Sequence, residues 1–266
     1  MKKFKFCSLL LAAAIVVSTL FTTACDDNSA TATSDMQSAE ASVEVSAVHG
    51  AANGILSEER QTVRFGFYPQ DANGNSRPIE WIVLTTEGEN SLLVTKNALI
   101  VQPFIGGTEE SIWQYCALRT WLNDEFYNHY FTSKEIAFIN ITRVVTERNP
   151  DYHTYGGDPT QDRFFLLSLE EVNAYFANDE ARKCAPTKLA FARGVETSKN
   201  ETVDGAATCR WWLRTPGGSN YSAACVNFDG SVSSAGELAY KKDPGHDLGV
   251  RPAVWIKNLD FYLSTL

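Results

Sequence analysis

Metal-ligand spacings are missing from this chain. Its four histidines, His49, His129, His153 and His246, are scattered, and no His-x-x-x-His pair sets two on one helix face. Its cysteines lack the Cys-x-x-Cys spacing of a zinc site. No metal and no cofactor are expected. Lysine- or arginine-rich runs are also missing from a sequence of net charge −9, or −12 once Lys2, Lys3 and Lys5 are discounted. Phosphate binding needs a basic face, so nucleic acid is not an expected partner. The acidity reads as solubility at an exposed surface. Gly156-Gly157-Asp158-Pro159 and Pro216-Gly217-Gly218 lack the strand-to-helix context of a phosphate loop and read as turns.

What is there begins with an export signal. Lys2, Lys3 and Lys5 precede an apolar run over residues 6–21. The run is short for a membrane span, which needs about 20 apolar residues, and its basic start suits a signal peptide over residues 1–24. The small residues before Cys25 resemble a bacterial lipobox, although Thr22 stands where leucine is usual. Cys25 is accordingly expected to carry lipid and to anchor the chain to a membrane, each buried methylene adding about 0.8 kcal/mol. The alternative is an ordinary cleavable signal. Residues 25–60 are rich in Ala, Ser, Thr, Asp and Glu without an aromatic, too polar to order themselves. As a flexible tether they would span roughly 30–35 Å.

A single α+β domain is expected over residues 61–258, with 259–266 as a C-terminal tail. Residues 63–67 alternate as a half-buried strand does. Residues 79–84 and 91–95 form a hairpin around Glu87-Gly88-Glu89-Asn90. A helix is predicted over 111–127 from the spacing of Trp113, Cys116, Ala117, Trp121 and Phe126. Thr132 with Glu135 and Ser168 with Glu171 have capping-box form, and a short helix from Thr187 to Ala192 would stop at Gly194. Strands return at 211–214, at 224–228 and 232–234 flanking Asp229-Gly230, and at 250–256, where Pro252 marks an edge or bulge. Strands at both ends can share one sheet. Cys116, Cys184, Cys209 and Cys225 either bridge, in one of three pairings, or stay free and buried.

The densest signal is Arg210-Trp211-Trp212-Leu213-Arg214, followed by Gly249-Val250-Arg251-Pro252-Ala253-Val254-Trp255. Adjacent tryptophans bracketed by arginines belong in a core strand. Trp81, Trp121, Trp211, Trp212, Arg214, Arg251 and Trp255 are the expected structural core, with the arginines stacked on aromatics and paired with carboxylates such as Glu80. Together with Phe65-Gly66-Phe67-Tyr68-Pro69-Gln70, Pro78-Ile79-Glu80-Trp81-Ile82-Val83-Leu84, Leu118-Arg119-Thr120-Trp121-Leu122-Asn123 and Phe165-Leu166-Leu167-Ser168, these motifs resemble a bacterial domain family of unknown function, common on secreted and lipid-anchored proteins of gut and oral anaerobes. The closing half also resembles the C-type-lectin-like fold in its formylglycine-generating-enzyme version. That resemblance implies a fold more than an activity. The close cysteine pair that binds copper in those enzymes is not matched by Cys209 and Cys225, nor are the calcium motifs of sugar-binding lectins present.

Other candidate groups have structural readings. Glu170 and Glu171 open a helix, where anions are favoured. Asp204, Asp229, Asp243 and Asp247 sit in turns, though carboxylates of this kind can ligate calcium. Between Gly217 and Asp247 the sequence is rich in Ser, Asn and Tyr, a composition similar to antibody loops. Asn220, Tyr221, Asn227, Tyr240 and Asp243 are the candidate ligand-binding residues, with the loops around Tyr152 and Gly156 as the next place to look. The leading expectation is a surface lipoprotein whose non-catalytic domain binds a protein or a glycan. The alternatives are a metal-dependent oxidative enzyme related to formylglycine-generating enzymes and a structural envelope module.

Overall fold

Residues 60–107, 110–240 and 248–266 are described by the computed structural model. The expected signal, Cys25, the tether up to residue 59, and Asp243 and Asp247 lie outside the described residues. The alternating N-terminal segment forms β1 (Thr62–Pro69), antiparallel to β2 (Ser76–Glu87). β3 (Asn90–Thr95) returns over the two-residue turn Gly88-Glu89, as the sequence predicts. The β1 ladder shifts register between Arg64 and Phe67. Gly66 lies there at φ +71°, and a Cβ would sit 2.3 Å from the Phe131 ring. Only glycine fits that left-handed, crowded position. β4 (Ile100–Val101) follows.

The helix expected over 111–127 is broken. Trp113–Tyr115 make one 3-10 turn, and Cys116 is extended, its Sγ accepting from the Arg119 amide at 3.3 Å. The helix proper is α1 (Ala117–Trp121), continued through a π turn at Leu122–Phe126 into α2 (Tyr127–His129). Both capping boxes form, at the starts of α3 (Ser133–Ile136) and, beyond β5 (Thr142–Val144), β6 (Thr160–Asp162) and β7 (Phe164–Phe165), of α4 (Leu169–Tyr175). Glu135 also accepts from the Gly66 amide at 2.8 Å, so one carboxylate ties a helix start to the β1 bulge. α5 (Asp179–Arg182), unforeseen, is capped by Asn178. α6 (Lys188–Ala192) is capped by Thr187 and ends at left-handed Gly194, as expected.

The last third is mostly strand. β8 (Thr197–Val203) and β9 (Ala206–Cys209) form a hairpin the sequence did not announce. β10 (Trp211–Pro216), β11 (Ser222–Val226) and β12 (Val232–Leu238) form a meander. The Asp229-Gly230 turn is wider than a two-residue hairpin: it is closed by the Asn227 amide donating to the Ser231 carbonyl at 2.8 Å. The single strand expected over 250–256 is two, β13 (Gly249–Val250) and β14 (Ala253–Lys257), in different sheets. Pro252 cannot donate a ladder hydrogen bond, and the chain changes sheet at Arg251-Pro252. Residues 259–266 are not a tail throughout. They hold α7 (Leu259–Leu263), and its Tyr262 ring packs edge-on to Phe65.

The sheets run β1-β2-β3-β14-β7 and β12-β11-β10-β13-β4, with β5-β6 and β8-β9 as separate ribbons. The described residues are α+β, and strands from both ends share the first sheet. Trp81, Trp211, Trp212, Arg214, Arg251 and Trp255 are buried as expected, and Trp121 is half-buried. Successive strand residues face opposite sides, and both faces of β10 are covered. Trp211 meets Phe176 and the Arg251 guanidinium, its indole donating to the Arg182 carbonyl. Trp212 meets Phe104 and donates to Gln102. The partners of the arginines differ from expectation. Glu80 pairs with the exposed Arg64, because its β2 position lies near solvent. Arg119 pairs with Asp162 at 2.7 Å and Arg214 with Glu171.

Candidate functional site

The expected binding residues divide between two ends of β11. Asn220 and Tyr221 precede that strand and Asn227 follows it. At about 3.3 Å per residue this puts Tyr221 and Asn227 roughly 20 Å apart. Asn227 turns its amide onto Ser231 Oγ at 3.1 Å, a turn-closing bond. Tyr240 lies at the Tyr221 end but is half-buried against the core.

At the Tyr221 end, three chain segments meet. The Ser111 amide donates to the Asn220 carbonyl at 2.7 Å, and Asn220 Nδ2 donates to Glu110 Oε1 at 2.8 Å. Thr154 Oγ1 donates to the Gly217 carbonyl at 2.7 Å, and the Asp158 amide donates to Gln114 Oε1 at 3.0 Å. Gly218 has no side chain, and a Cβ there would stand 3.3 Å from the Tyr152 ring. The segments are thus residues 110–115, 146–158 and 217–221. A hollow of about 60 Å³ opens between Tyr155, Asn220, Glu110 and Thr154, room for one or two waters or a small polar group.

Asn149 holds the middle segment rigid. It is fully buried, its Nδ2 donating to the Pro216 and Ser234 carbonyls, both at 2.8 Å. Its Oδ1 accepts from the amides of Asp151 and Tyr152. This Asx turn presents Tyr152, with His153 next to it in the left-handed region at φ 57°. Sequence reasoning missed Asn149, although Asn149-Pro150-Asp151 is a turn signal.

Every exposed tyrosine among the described residues lies on these three segments: Tyr115 at 65 %, Tyr152 at 49 %, Tyr155 at 47 % and Tyr221 at 48 %. The Arg148 guanidinium lies 5.3 Å from the Tyr155 ring centre. The Tyr155 hydroxyl donates to Asp158 Oδ1 at 2.8 Å, which pushes its phenol above the usual tyrosine range, with a smaller influence from Tyr115. The surface is a set of exposed aromatic faces with polar tips, interleaved with Glu110, Arg148, Asp158 and Asn220. It has the make-up of a contact surface.

The remaining candidates have structural partners. Glu171 caps α4 and binds Arg214. Asp204 pairs with Lys96 at 2.9 Å, and Asp229 accepts from Ser231. Cys116, Cys184, Cys209 and Cys225 are buried and form no disulfide, and burial pushes the Cys116 and Cys225 thiols up to about 12. Among the described residues no group of three or more His, Cys, Asp or Glu is gathered as metal ligands are, and no helix is long and apolar enough to cross a membrane.

A family model described as Domain of unknown function (DUF6273) matches residues 88–258. No curated protein and no solved structure matches.

Proposed function

The chain belongs to that family of unknown function, and from its own surface we propose that it is a non-catalytic binding domain which takes a protein or glycan ligand on the tyrosine rim. The observation that carries this reading is the gathering of all the exposed tyrosines on three cross-bonded segments. Tyrosine gives a large, fairly rigid contact with a polar tip, losing little side-chain freedom on binding. A rim already braced by Asn149, Thr154 and Ser111 needs little further ordering, which favours affinity.

The experiment is a combined glycan and protein array probed with the full mature chain. The Tyr152→Ala and Tyr221→Ala variants are then titrated against the ligand found. Each variant is expected to lose at least tenfold in affinity while its melting temperature moves by only a few degrees, since exposed side chains contribute within about 0.5 kcal/mol to stability. Unchanged affinity in both would remove the rim from the binding surface. Tyr240 is the contrasting control: it packs on the core, so its truncation should lower stability as well.

The fold we read as C-type-lectin-like, of the formylglycine-generating-enzyme kind. The order of a tryptophan-rich strand, a hairpin and a closing Gly-x-Arg strand supports this, as does the return of the C-terminal strand beside the N-terminal ones. We place the domain outside the cell on a lipid anchor at Cys25, after a tether. The basic n-region, the apolar run and the small residues before Cys25 support that placement. Cys25→Ala should move the protein from the detergent phase to the aqueous phase in a phase-separation extraction. Unaltered partitioning would mean that Cys25 is not the anchor.

A further inference from the structure

A second concavity lies in the region of β2, α5 and the β8–β9 turn. It has a volume of about 790 Å³, within the range of small-molecule sites. Arg251 and Arg60 both line it. Arg251 is 1 % exposed, its Nε donating to the Thr95 carbonyl at 2.7 Å and its guanidinium lying 4.9 Å from the Trp211 ring centre. Arg60 donates through Nη2 to the Tyr175 carbonyl at 2.6 Å, while its Nη1 is buried with no hydrogen-bond partner among the described residues. Both guanidinium groups pack on one ring, Phe176, at 4.7 Å for Arg60 and 5.5 Å for Arg251.

Neither arginine has a carboxylate partner among the described residues. The acidic groups on the same walls are already engaged. Asp204 holds Lys96 at 2.9 Å, Glu180 holds Lys183, and Glu80 faces Arg64. Burial lowers the pKa of both arginines, and for Arg60 the neighbouring charge of Arg251 adds to it. An arginine in a protein nevertheless keeps its proton, so the buried charge of Arg251 stands close to that of the half-buried Arg60. The thiols of Cys184 and Cys209 act on the charge of Arg251. Burial pushes the Cys184 thiol up, while the hydrogen bond with Cys209 and the charge of Arg251 pull it down.

A buried cation without a counter-charge is strongly unfavourable, and a paired arginine fork fits the oxygens of a carboxylate or phosphate. Ile82, Ala181, Pro186 and Val203 supply apolar wall around it. We infer that this cavity binds a small organic anion, its carboxylate or phosphate group held by Arg60 and Arg251 and its body against the apolar wall. This site is independent of the tyrosine rim: it rests on two neighbouring arginines without a carboxylate partner among the described residues, and the rim rests on exposed aromatics.

The test is calorimetric titration of the full mature chain with glucuronate, glucose 6-phosphate and neutral glucose. At least one of the two anions is expected to bind ten times more tightly than glucose, and whichever binds identifies the anionic group. Arg60→Gln, at the half-exposed edge of the site, should weaken that binding at least tenfold with the melting temperature kept within a few degrees. Ala206→Trp, which fills the mouth from an exposed wall position, should do the same without touching a charge. Equal binding of all three sugars, no binding of either anion, or anion binding that survives Arg60→Gln would overturn the proposal.

Discussion

Truncating Trp212 to alanine should lower folding stability by about 3–5 kcal/mol, and Trp211→Ala should do the same. The two side chains leave β10 in opposite directions, yet both are fully buried. Each also donates its indole N–H to a carbonyl, at 2.9 Å for Trp212 and 3.2 Å for Trp211. Truncation therefore leaves a cavity and an acceptor without its donor, and the second loss adds to the first. Urea denaturation of the two variants measures this. A loss below about 1 kcal/mol for either, ordinary for a point substitution, would mean that its side of β10 is not packed as described.

The second large effect belongs to Arg214. Its guanidinium is 3 % exposed and binds Glu171 through both Nη atoms, while also donating to the Leu166 and Val145 carbonyls at 2.8 and 2.9 Å. One side chain thus fastens β10 to the start of α4 and to the segments before it and after β5. Arg214→Met should cost about 3–5 kcal/mol, because Glu171 is left charged and largely buried with its counter-ion gone. Adding Glu171→Gln should return part of that loss, since removing both charges also removes the unpaired one. A double-mutant cycle with no coupling between the two sites would show that the pair does not hold the helix start.

Local chemistry made much of the fold legible. The capping boxes at Thr132 and Ser168, the Thr187 cap, the Gly88-Glu89 turn and the buried tryptophan pair all follow from residues within a few positions of one another. What escaped reading was short or depended on distant partners. α5 has four residues, too few for a period. β8 carries Thr197-Ser198-Lys199-Asn200-Glu201-Thr202-Val203 with no buried residue, so no apolar face betrays it. In α7 only Leu259 and Tyr262 are fully buried, a spacing shared by many loops. The carboxylate facing Arg214 comes from residue 171 rather than 80, a choice made by tertiary packing alone. At the site, Asn220 and Tyr221 were legible from composition. Asn227 had the same composition and went to the other end of its strand. The tyrosines at 115, 152 and 155 join Tyr221 through hydrogen bonds between segments about 60 to 110 residues apart, which no local pattern records.

β14, which follows every other strand of its sheet in the chain, is an interior strand of that sheet, seated between β3 and the edge strand β7. Until residues 253–257 emerge, β3 and β7 each present an unpaired edge, and open edges invite pairing with other chains. β14 joins β3 by contacts between residues more than 150 positions apart, such as Trp255 with Leu92, and pairings of such separation form slowly. The chain is therefore most prone to aggregate in the interval before residues 253–257 are available to pair. A truncation that removes β14 and the α7 behind it would be far more harmful than its length suggests, because it separates β7 from β1-β2-β3 and leaves an open edge on each.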